Sequence, residues 1–162
     1  MATLLHIDSA ISPAGSASRE VTAAFVKAWS EAHPDGKVVH RDLGAHPVPH
    51  LDFTAVSAAF SDPAEHTEEQ RAAVALRDEL ATELESADAV LIGAPMYNFT
   101  IPSTLKAWLD QVIIVGRTGG ESRTVVEIRS SGSDVDNFIV STLQKAVRVD
   151  GRGDVQLLLG QN

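Results

Sequence analysis

The sequence predicts one α/β domain built on a doubly wound parallel sheet, and three observations carry that expectation. Five short apolar runs alternate with longer stretches whose apolar residues recur at helical spacing. One of these runs, Ala89-Val90-Leu91-Ile92-Gly93-Ala94, is apolar throughout, as a strand buried on both faces of a parallel sheet is. The length of 162 residues suits a single compact domain spanning 1–162.

Taken in order, Thr3-Leu4-Leu5-His6-Ile7 reads as the first strand, ending at Asp8-Ser9. A serine-rich loop then runs into a helix marked by Val21, Ala24, Phe25, Ala28 and Trp29, which Pro34-Asp35-Gly36 ends. Lys37 to Asp42 is the second strand. Leu43 to Pro63 has prolines and no clear period, so it reads as a long connection. Thr67 and Gln70 have capping-box spacing, and Ala73, Leu76, Leu80 and Leu84 continue one helical face. After the strand at Ala89, Ser103 to Gln111 is a helix with Leu105, Trp108 and Leu109 on its apolar side. Thr124 to Ile128 and Val155 to Leu159 are the last two strands, separated by a weaker helix through Phe138, Ile139, Leu143 and Val147. Right-handed crossovers between parallel strands then give the flavodoxin-like order 2-1-3-4-5.

Composition narrows the function. Thirteen basic against 22 acidic side chains leave a net charge of −9, which disfavours nucleic acid and anionic lipid as partners. The absence of cysteine excludes a disulfide scaffold, thiolate metal sites and a thiol nucleophile. Neither a membrane-spanning segment nor a signal peptide is legible, so the expected setting is the cytoplasm. His40, His46, His50 and His66 lack the spacing of a metal-ligand motif, and no metal site is expected.

In the doubly wound fold, ligands gather beyond the carboxyl ends of the strands. The first loop there, Asp8 to Ser18, carries four serines and opens a helix, where backbone amides and the helix dipole favour a phosphate. The sequence has neither a P-loop lysine motif nor a dinucleotide glycine fingerprint, leaving a small phosphomonoester as the candidate. A plainer alternative makes Ser18 the helix cap and the other serines turn fillers. After the third strand, Pro95-Met96-Tyr97-Asn98-Phe99 gathers a thioether, two aromatics and an amide. That set suits a flat ring, or else packing under a neighbouring loop or at a subunit interface.

The string Ala94-Pro95-Met96-Tyr97-Asn98-Phe99, followed by Ser103-Thr104-Leu105-Lys106-Ala107-Trp108-Leu109-Asp110, resembles the FMN-dependent NADH-azoreductases, which also act as NADH:quinone oxidoreductases. The likeness runs from residue 1 to about Thr118. It implies an FMN-dependent NAD(P)H oxidoreductase that reduces quinones or azo compounds by two-electron ping-pong transfer. By the same resemblance Ser9, Ser16, Ala17 and Ser18 would cradle the FMN phosphate, and Met96, Tyr97, Asn98 and Phe99 would line its ring. Ser130, Ser131 and Gly132 keep part of a serine-and-glycine turn that the family places against the flavin. The sequence departs from the family beyond Thr118, and it ends at Asn162 without the family's last helix. A homodimer covering that sheet face is the expectation, and a flavin-free relative binding an aromatic metabolite in the same cleft is the alternative.

Overall fold

The computed structural model describes residues 1–119 in full, together with the backbone of residues 126–129 and 155–160. Strands β1 (Thr3–Asp8), β2 (Lys37–Asp42), β3 (Ala89–Pro95), β4 (Val126–Arg129) and β5 (Val155–Gly160) form a parallel sheet. Helices α1 (Ala17–Ala32), α2 (Phe53–Ala58), α3 (Glu68–Glu85) and α4 (Ser103–Val112) connect them, with one turn of 3-10 helix at Pro63–Glu65. The doubly wound class is therefore as the sequence predicts.

The order within the sheet is β2-β1-β3-β5-β4, which corrects the expected 2-1-3-4-5. Adjacency along the chain favours β4 beside β3. Composition favours the observed arrangement: Val-Glu-Ile-Arg is short and half charged, as an edge strand tends to be, whereas Val-Gln-Leu-Leu-Leu-Gly is apolar enough for the interior. Ser130, Ser131, Gly132 and the expected helix through Phe138 to Val147 lie outside the described residues.

The two faces of β1 differ in chemistry because successive side chains alternate. Leu5 and Ile7 join Val90, Ile92, Leu80, Leu84, Leu105, Trp108 and Leu109 in one apolar core. His6 and Asp8 point to the other face, toward α1. There α1 buries Ser18 and Thr22, while Val21 of the expected apolar stripe stays exposed. Gly93 explains the close approach, since a Cβ at this position would sit 2.8 Å from Thr22 Cγ2 and 2.9 Å from Asp8 Oδ1.

Helix α3 starts as its sequence dictates: Thr67 accepts from the Gln70 amide, and the Gln70 side chain accepts from the Thr67 amide. Helix α2 lies inside the stretch read as a connection. Its six residues are too few to show a period, and local bonds build it instead. The Asp52 carboxylate accepts from Ala55 N at 2.9 Å, and the buried His66 ring meets the Ala58 carbonyl at 3.1 Å. Gln111 Nε2 donates to the Pro49 carbonyl at 2.9 Å, tying the same stretch to α4.

Candidate functional site

The first and third loops of the carboxyl edge meet, and a groove of about 200 Å³ opens between them. One wall is Ser12 with Gly15 to Ser18, and the other is Pro95 to Tyr97. Gly15 turns the chain with φ +67° just before the helix, a conformation that costs glycine little. Ser16 is then the N-cap of α1, in an extended conformation, and its side chain makes no capping bond. The first-turn amides are thus left without a side-chain acceptor at the positive end of the helix. Ser18 is a buried residue of the first turn and not the cap, so the plainer reading of this serine does not hold. Its hydroxyl lies 3.1 Å from that of Ser16.

Ser9 has a different place. Its amide and its hydroxyl both donate to the Gly93 carbonyl, at 3.0 and 2.7 Å, and the residue is fully buried. It fastens the end of β1 to β3 behind the groove, whose wall it does not form. No local pattern announces that bond, because the partner is 84 residues away.

The third loop is a tight turn. Tyr97 N donates to Thr100 O at 2.9 Å and Thr100 N to Tyr97 O at 3.1 Å, with Asn98 at φ 49° and Phe99 at φ 63° between them. Positive φ at both central residues matches a two-residue type I′ connection, in which asparagine is common and phenylalanine is strained. The Tyr97 hydroxyl accepts from Ile11 N at 3.1 Å and so joins this turn to the serine loop. Met96 and Phe99 are exposed, and Phe99 is not packed beneath any described loop. Asn98 and Phe99 adjoin the groove without lining it.

Arg19 holds the serine loop in shape. Its guanidinium donates to the Ser12 carbonyl at 2.9 Å, the Ala10 carbonyl at 2.7 Å, and both Asp42 oxygens at 2.8 and 2.7 Å. Sequence reading missed this residue, although an arginine at the start of a helix, where the dipole disfavours a cation, is a signal that it serves another purpose. Paired with Arg19 and with the amides of Gly44 and Ala45, the Asp42 carboxyl falls to about 2. A folded-state value below the unfolded one means stability that is present above the unfolded value of about 3.9 and lost as pH falls toward 2. The shift corresponds to about 2 kcal/mol. Urea unfolding of Asp42→Asn between roughly pH 5 and pH 2 should therefore show a flatter loss of stability than the parent.

Asp8 does not line the groove and is buried against Thr22 of α1. Burial alone would raise its carboxyl. The adjoining His6, with hydrogen bonds from His40 and Thr22, outweighs burial and holds it below the usual carboxylate range.

A family model of the flavodoxin-like fold matches residues 2–132. An FMN-dependent NADH:quinone oxidoreductase of Streptomyces coelicolor is 62% identical over 123 residues, covering 75% of this chain and 56% of that protein. A protein of the same name from Frankia alni is 54% identical over 118 residues, covering 73% and 56%. The chain thus spans little more than half the length of these relatives. Among solved structures, the azoreductase of Bacillus anthracis strain Sterne superposes with a TM-score of 0.77 at 22% identity, over 99% of this chain and 88% of that one. An FMN-dependent NADH-azoreductase of Bacillus anthracis, solved in complex with FMN, gives 0.74 at 20% identity, over 98% and 86%. At these identities the superpositions speak for the fold. The chain belongs to the flavodoxin-like fold family.

Proposed function

We propose that this chain takes part in FMN-dependent oxidation of NAD(P)H with reduction of quinones or azo compounds. The observation that carries the reading is the uncapped start of α1, opening at Ser16 into a groove whose far wall is Pro95 to Tyr97. The names of the similar Streptomyces and Frankia proteins support the same chemistry. In this reading the hydroxyls of Ser16 and Ser18 and the first-turn amides from Ala17 onward hold the phosphate. The groove is smaller than the roughly 300–1,000 Å³ of pockets that enclose a drug-sized ligand. It suits the phosphate-bearing end, with the ring resting on Met96, Tyr97 and the Asn98-Phe99 turn. Ser130, Ser131 and Gly132 are proposed as a further contact to that ring.

FMN when bound accepts a hydride and passes on two electrons, and the protein's share is binding, orientation and exclusion of water. Tyr97 serves orientation, because its hydroxyl already fixes the distance between the two loops. The electron acceptor is a small aromatic molecule. A cytoplasmic homodimer is the proposed working form, in keeping with the exposed Met96 and Phe99 beside the groove. The net charge of −9 speaks against nucleic acid or a lipid surface as a partner.

The test is addition of FMN to the purified chain. The expected result is a yellow protein that retains flavin through gel filtration, quenches its fluorescence, and oxidises NADH faster when a quinone is supplied. Colourless protein that takes up no FMN would falsify the reading.

A further inference from the structure

Strand register brings together three side chains that the proposed oxidoreductase chemistry does not use. His6 and Asp8 lie two residues apart on β1 and so share a face, and His40 is the register partner of His6 on β2. His40 Nε2 is 3.0 Å from Asp8 Oδ2, and His6 Nε2 is 3.3 Å from the same oxygen. One donor atom from each residue lies within 4.8 Å of the others, the one such group among the described residues. His6 is 7% exposed, and its Nε2 has no hydrogen-bond partner although it is aimed at this cluster. An orphaned imidazole nitrogen in a buried site is costly unless something satisfies it.

We propose that His6 Nε2, His40 Nε2 and Asp8 Oδ2 bind a divalent transition metal such as Zn²⁺, with water completing the coordination. Two imidazoles and one carboxylate form a borderline-soft set that suits such ions, and three protein ligands leave an open position. Bonds of about 2.0–2.1 Å at tetrahedral angles separate donors by about 3.3 Å, close to the two contacts with Asp8. The His6 and His40 rings stack with centroids 4.4 Å apart, so the third edge closes by rotation of His40, whose side chain is 47% exposed. Thr22 Oγ1 donates to the other Asp8 oxygen at 3.0 Å, the kind of outer bond that steadies a ligating carboxylate. Arg19 Nη1 lies 3.5 Å from Asp8 Oδ2, yet the charge of this guanidinium is paired with Asp42, to which Nη1 and Nη2 both donate. The inference stands apart from the flavin reading.

Titration calorimetry of the full chain, stripped with a chelator and then given Zn²⁺ alone, tests the proposal. One saturable equivalent is expected, weakened more than about 10-fold in His40→Gln and in His6→Gln. Because His40 is half exposed, its variant keeps the test valid even if the buried His6 variant fails to fold. The pair His46→Gln and His50→Gln should leave the affinity unchanged. Absence of stoichiometric binding, or binding equal in the parent and in His40→Gln, would overturn the site. Loss with the His46 and His50 pair alone would do the same.

Discussion

Gly44→Ala is expected to lower the unfolding free energy by at least about 3 kcal/mol, read from the urea midpoint, and to weaken FMN retention with it. A Cβ on Gly44 would lie 2.0 Å from the Ala10 carbonyl oxygen, 2.9 Å from its carbon and 2.9 Å from Arg19 Nη2. The obstacle is backbone, and Ala10 is fully buried, so neither can move aside cheaply. The same carbonyl is the one that Arg19 grips, and the neighbouring Leu43 amide donates to Asp8 O at 2.7 Å. Displacement would therefore pass from the β2 loop into the serine loop. Gly15→Ala is the comparison: the space around it is open, and its left-handed φ of +67° sets the cost at about 1–2 kcal/mol. A Gly44→Ala variant within about 1 kcal/mol of the parent would show that the two loops are not rigidly packed.

Ser16→Asp should reduce FMN affinity on the order of 100-fold, measured by fluorescence quenching. Aspartate is as good a cap as serine, so helix α1 itself should be no less stable. The loss would come from a carboxylate beside the phosphate and from a side chain that caps the amides the phosphate needs. Riboflavin, which lacks the phosphate, separates the causes: its binding should change little. Equal FMN affinity in variant and parent would place the phosphate elsewhere.

Much of the framework was legible because local rules agree with the tertiary result. Thr67 and Gln70 cap α3 as their spacing dictates, and Leu105, Trp108 and Leu109 are buried as their period implies. The features that escaped depend on distant partners. Ser9 reads as another loop hydroxyl until Gly93 arrives against it. Helix α2 is too short for periodicity, and the strand order beyond β3 turns on which of two runs better tolerates an edge. Spacing along the second strand and the long loop shows no metal-ligand motif, whereas the neighbour of His40 is His6, fixed by register between strands. The alternation His6-Ile7-Asp8 was the available signal, since it sets two ligand-type side chains on one face.

The Tyr97 turn has a thermodynamic consequence. Two reciprocal backbone bonds and the tie from Tyr97 to Ile11 hold Asn98 and Phe99 in left-handed conformations before any ligand arrives. The entropy of ordering this segment is thus charged to folding, and a planar molecule settling on it forfeits little freedom from the receptor side.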